Sequence, residues 1–182
     1  MKYEEELAKH LRNPDGYLWF SDSWPHSYLN GIAEDAFDKN SPEGYLTSLI
    51  IYHQLTEEIL KVLLCYSNLV MKAALYPVKI ELPAGDDASL GGLLQIHKTT
   101  VVFDKKSKII EQADKLNRLR NELSHRIIRH SSETAIVMKA KNSKEIFENI
   151  FKNWRMSMKW LYHTIDELKQ RPEISKLLNK YP

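Results

Sequence analysis

Between Leu116 and His125 the chain gathers Asn117, Arg120, Asn121, Ser124 and His125, side chains able to hold an anion and move a proton. Arginine stays cationic and donates two parallel hydrogen bonds, which suits a phosphate. Histidine titrates near neutrality and can act as acid or base. Asparagine and serine add donors that orient what the arginine holds. RNA can be cut by such a set without a metal. Its own 2′-OH attacks the phosphate, a base takes that proton, an acid protonates the leaving oxygen, and a cation stabilises the growing charge. The products are a 2′,3′-cyclic phosphate and a 5′-hydroxyl. One histidine per chain covers one of the two proton transfers, so a symmetric partner would supply the other.

These residues must be positioned by helices, because helical periodicity dominates the sequence. A short helix is expected over 2–12, ending before Asn13-Pro14-Asp15-Gly16, and another near 28–38. Between them Trp19, Phe20, Trp24, Pro25 and Tyr28 read as an irregular aromatic segment lying on the core. Ser41-Pro42 opens a long helix that reaches about Leu75, with Pro77 ending it. A fourth helix is expected over Ser89–Val101, weakened by Gly91-Gly92, and a fifth over Lys105–Ile128. Asn142-Ser-Lys-Glu145 resembles a capping box that starts the last long helix, which runs to about Gln170; a short helix follows Arg171-Pro172. Val78–Leu82 and Thr134–Met138 alternate enough to pair as a minor β-hairpin. The expectation is an all-α, up-and-down helical bundle with short peripheral helices. It forms one domain over 1–182, with the core at about 41–170 and an acidic, aromatic extension at 1–40.

On a wheel of about 100° per residue, with Leu116 at zero, Ile109, Leu123 and Ile127 lie within about 20° and form the core stripe. Arg120 falls about 40° away, at the stripe's edge, and Asn117, Asn121 and Ser124 follow at about 80–140°. His125 lies near 180°, away from Arg120. An arginine on an apolar edge needs a partner. Either it holds a carboxylate such as Glu57 or Glu58, or it faces a groove where an anion sits. His125 joins it only if the helix bends or ends there, or if a second protomer completes the site.

The run Leu116-Asn-Arg-Leu-Arg120-Asn121-Glu-Leu-Ser-His125 resembles the signature of HEPN domains (higher eukaryote and prokaryote nucleotide-binding): an arginine, a polar neighbour, and a histidine after four to six residues. The match covers about ten residues, with the helical layout of 41–170 around it. The resemblance implies a helical bundle carrying the motif late in a long helix. It also implies a metal-independent endoribonuclease working as a homodimer, in a toxin–antitoxin, phage-defence or RNA-processing setting. Arg120 would hold the scissile phosphate, Asn121 would orient it, and His125 would move the proton. Ser124, Asn117, Arg126 and Arg129 would contact RNA, and Glu58, or its neighbours Glu57 and His53, would be the polar residue that the family often carries on an earlier helix. No cofactor is implied. Some HEPN domains have lost activity and serve as adaptors, dimerisation modules or RNA-binding scaffolds, so a non-catalytic module with Arg120 as a buried structural ion is the alternative. A nucleotide-binding or antitoxin-type partner protein is a third.

The rest of the sequence narrows the field. Apolar residues make up 43% and charged residues 27%, as in a folded domain. Cys65 is the sole cysteine and sits among Leu63, Leu64 and Tyr66, which reads as a buried, inert thiol in a reduced, cytoplasmic setting. The acidic N-terminus lacks a signal's apolar core, and no apolar run is long enough to span a membrane. His125 and His130 find no third metal ligand, and Gly91-Gly92 lacks the Lys-Ser/Thr of a phosphate loop. His53 and Glu57 read as a solvated pair on one helix face, and His97, His163, His10 and His26 as isolated. Trp154 and Trp160 read as core or dimer packing. Net charge is +2 but uneven: −7 over 1–58, 0 over 59–104, +4 over 105–138 and +5 over 139–182. Either the basic half faces a polyanion, with Arg118, Arg126, Arg129, Lys105, Lys106 and Lys108 as a rim for RNA, or the two halves neutralise each other.

Overall fold

The computed structural model describes residues 2–15, 24–85, 87–126 and 133–182, and the side chains of all of these except 24–26, 124–126, 133, 135 and 136. Seven helices follow in order: α1 (Lys2–Arg12), α2 (Trp24–Asp38), α3 (Pro42–Leu75), α4 (Leu90–Thr100), α5 (Lys106–Arg126), α6 (Glu133–Lys169) and α7 (Pro172–Lys180). The fold is all-α. Among the described residues there is no strand, and no helix is long and apolar enough to cross a membrane.

The 34-residue α3 is the element on which the others pack. Ser41 caps it, its Oγ accepting the Gly44 N–H at 3.1 Å, and Pro42 occupies the first turn, where its missing N–H costs nothing. Its middle, from Ile59 to Val70, is buried on most sides, as its second apolar face requires. α2 runs antiparallel to it, and the Ser48 hydroxyl donates to the Ala33 carbonyl at 2.7 Å across the contact. A Cβ placed on Gly44 would collide with the carbonyl oxygen of Ala36 and reach its carbon at 3.3 Å. Backbone cannot step aside as a flexible side chain can. Gly44→Ala is therefore expected to lower the unfolding free energy by about 3 kcal/mol, the upper range for overpacking. In urea the midpoint should fall with the slope unchanged.

α6 lies parallel to α3: the Tyr52 and Phe147 rings stack at 4.7 Å, and Tyr66 meets Tyr162 edge-on at 5.3 Å. α5 runs antiparallel to α6, with Glu122 paired to Lys139 near one end and the Asp104 carbonyl accepting from Ser157 just before the other. One cluster of buried apolar side chains takes residues from all seven helices, including Leu7, Leu11 and Ala33 from the N-terminal stretch. α1 is further held by Glu4, which binds Lys180 at 2.8 Å and the Tyr181 hydroxyl at 3.0 Å. Cys65 is only half-buried.

The expected hairpin does not form. Thr134–Met138 is the first part of α6, and Val78–Leu82 is a loop. The capping box does not start α6 either: Asn142 and Glu145 are exposed in its interior, and the buried Ser143 donates back to the Ala140 carbonyl at 2.6 Å. Val137, Ala140, Ser143, Phe147 and Ile150 continue one helical stripe into the core, and that burial outweighs a local capping preference. At the N-terminal side, α2 starts at Trp24, before the expected position near 28. The aromatic segment's Trp19 and Phe20 lie outside the described residues.

Candidate functional site

Ile109, Ala113, Leu116 and Leu123 seat α5 in the core, as the wheel requires. Arg120, by contrast, is exposed. The reason is its level along the helix, which a wheel does not register. α4 runs antiparallel to α5, from beside Asn117, where a Cβ on Gly91 would lie 3.8 Å from Asn117 Nδ2, to His97 against Phe103 at 5.7 Å. Arg120 lies three residues, about 4.5 Å, beyond Asn117 along the axis and so clears the end of α4. It is neither a buried ion nor the partner of Glu57 or Glu58. Among the described residues its guanidinium bonds only to the neighbouring Asn121, Nη1 donating to Oδ1 at 3.1 Å.

Asn117 and Asn121 are half-buried beside it. Asn117 joins α5 to α3, its Oδ1 lying 3.2 Å from Nε2 of the half-buried His53. With an amide oxygen as partner, Nε2 carries the proton and Nδ1 keeps a lone pair. Burial lowers the pKa of His53, and the Arg120 cation adds to that; the Asn117 bond and Glu57 oppose it. The ring is therefore a neutral base within the electrostatic reach of Arg120.

His53 and Glu57 are thus not a solvated pair. His53 reaches α5, and Glu57 reaches α4, its Oε2 accepting the Leu90 N–H at 3.0 Å. Ser89 makes no side-chain cap, so a carboxylate from α3 satisfies that helix end and suits its partial positive charge. This explains how α4 forms despite Gly91 and Gly92 in its first turn. Glu57→Leu should fray α4 and cost about 1–2 kcal/mol, read as faster amide exchange at Leu90–Leu93. Glu58, the acidic residue expected near the site, instead pairs with Lys61 at 3.0 Å, and its Oε2 is buried without a partner. His53 is the α3 residue that meets the motif. The signal for it was its place one turn before Glu57 on a shared face.

Ser124, His125 and Arg126 belong to α5 by backbone, but their side chains lie outside the described residues, as does all of Arg129. The helix continues past His125, which places positions 120 and 125 about 140° apart around its axis. The expected basic rim is partly neutralised: Arg118 pairs with Asp114 at 2.6 Å and Lys105 with Asp104 at 3.3 Å, while Lys106 donates to the Val101 carbonyl at 2.6 Å. Lys105, Lys108 and Lys152 line a groove between α5 and α6, together with Glu111, Gln112 and Asn153. That groove lies on the α6 side of α5, whereas Asn117 faces α3. Among the described residues no group of three His, Cys, Asp or Glu side chains is placed to hold a metal ion.

Comparison of the chain with known protein families, curated proteins and solved structures finds no match.

Proposed function

We propose that this chain is a HEPN-like, metal-independent endoribonuclease that cleaves RNA by attack of the 2′-OH and acts as a homodimer, with α2, α3, α5 and α6 as its helical bundle. The observation that carries the reading is Arg120: exposed beyond the end of α4, held among the described residues only by Asn121, with a neutral histidine nearby. An exposed guanidinium with four donors unused among the described residues is available to a phosphate. Arg120 holds the scissile phosphate, Asn121 orients Arg120, and His125 moves a proton. The turn of about 140° between positions 120 and 125 argues for a cleft completed by the second protomer's motif rather than by one chain alone. A toxin–antitoxin or phage-defence setting, with a protein antitoxin as partner, fits an RNase of this kind.

The test is labelled RNA with the purified chain in excess EDTA. Expected are fragments ending in 2′,3′-cyclic phosphate and 5′-hydroxyl, and their loss with His125→Ala. RNA left intact under every condition, or cut equally by that variant, would sink the reading. A second reading has one observation of its own: the Lys108–Lys152 groove, which faces away from Asn117. It makes the chain an RNA-binding module without catalysis, and predicts binding that Lys108→Glu with Lys152→Glu abolishes, without cleavage in either form.

A further inference from the structure

A cavity of about 470 Å³ opens between α2, α3 and α6, on the face of α3 defined by Tyr52, Leu55 and Ile59. His53 and Glu57 lie on another face of α3, so this cavity is separate from the Arg120 cluster. Its far wall is Phe147, Phe151 and Trp154 of α6. The aromatic rings form a run: Tyr52 stacks on Phe147 at 4.7 Å, Phe147 leans on Phe151 at 6.1 Å, and Phe151 meets Trp154 at 5.2 Å. At roughly 30 Å³ per water-sized group, the space holds a ligand of about 16 non-hydrogen atoms.

Polar groups converge on this apolar chamber. Glu34 and Glu148 lie on its lining, from α2 and α6, and among the described residues no lysine or arginine does. Neither carboxylate is in an ion pair among the described residues; Glu34 only accepts from Asn30 at 2.9 Å. Tyr52 is 1% exposed. Among the described residues Trp154 Nε1 is buried without a partner. Burial, followed by Glu34, Glu148 and Asp38, pushes the Tyr52 phenol up to about 12.

Aromatic faces and uncompensated carboxylates select one ligand chemistry. The faces attract a cation through their quadrupoles, and the carboxylates attract it through charge. The orphaned Trp154 indole N–H adds a place for one acceptor on the ligand's body. We propose that this cavity is a binding site for a small organic cation, an ammonium carried on a flat apolar body, seated against the α6 aromatic wall with its charge toward Glu34 and Glu148. The site stands independently of the nuclease reading.

Four probes of similar size test it by calorimetry and by NMR shifts of the Trp154 indole: phenethylamine, benzyltrimethylammonium, neutral 2-phenylethanol and anionic 3-phenylpropanoate. Expected is at least tenfold tighter binding of the two cations than of the alcohol, and none of the carboxylate. The double variant Glu34→Gln with Glu148→Gln should remove the preference for cations while leaving the alcohol's affinity unchanged, since both side chains are exposed. Leu55→Trp should fill the cavity and abolish binding of all probes; should that variant not fold, the charge variant still decides. Equal binding of cation and alcohol overturns the proposal. So does a cation preference that survives the double variant, or no binding by any probe at millimolar concentration.

Discussion

Arg120→Ala is expected to slow RNA cleavage on the order of 100- to 1000-fold, the cost of removing one pre-positioned donor from a developing oxyanion. It should shift the thermal midpoint by no more than about 2 °C, because exposed substitutions stay within about 0.5 kcal/mol. The two numbers must be read together. Had Arg120 been a buried structural ion, truncation would cost about 3–5 kcal/mol and collapse both activity and stability. Its exposure, with Asn121 as its one partner among the described residues, separates the outcomes. Arg120→Lys keeps the charge but loses the two-pronged geometry, and should recover only part of the rate. Mixing Arg120→Ala chains with His125→Ala chains under conditions that exchange subunits tests the composite cleft. Each mixed dimer holds one arginine and one histidine, so partial recovery above either variant alone is expected. Absence of recovery in demonstrated mixed dimers would mean that the site lies within one chain or that both histidines are required.

What the sequence revealed about this site, and what it did not, follows from the kind of information a period carries. Spacing determines an angle around a helix. It placed Ile109, Leu116 and Leu123 on the buried side of α5 and gave α3 its cap, its breadth and its end. Spacing is silent on the level at which a neighbouring helix stops, and that level decides whether Arg120 is buried or free. Local motifs failed where tertiary burial overrode them: Asn142–Glu145 has a cap's residues but sits inside α6, because Ala140 and Val137 are worth more in the core than a helix start is worth on the surface. His53 was visible as a candidate but not as a bond, since its partner Asn117 is 64 residues away. Trp154 and Trp160 read as core or dimer packing; Trp154 packs against the core and also walls the cavity, whereas Trp160 is exposed.

The second large effect concerns His97. Its ring is fully buried on α4, Nε2 donating to the Leu60 carbonyl at 2.8 Å and Nδ1 having no partner. Burial pushes its pKa down to about 4, with Lys106 adding to the effect and the Leu60 bond opposing it. In the unfolded chain the same ring takes a proton near pH 6.5. Between these values the unfolded state binds more protons than the folded one, so stability rises with pH across that window. Lowering the pH from about 6.5 to about 4 should therefore cost about 3 kcal/mol from this residue, with no further loss from it below. Burial also lowers His10 and His53, so the whole protein's slope is steeper than His97 alone predicts. Comparison with His97→Leu in the same buffers isolates the term. The variant should be close to wild type at pH 7, because the Leu60 carbonyl still receives its own helical N–H and an unsatisfied nitrogen is removed. It should then lose markedly less stability on acidification, the gap reaching about 3 kcal/mol near pH 4. Parallel pH profiles for the two proteins would mean that His97 reaches solvent or charges without penalty, and that the packing of α4 on α3, which also holds Glu57 beside the site, is looser than its buried ring requires.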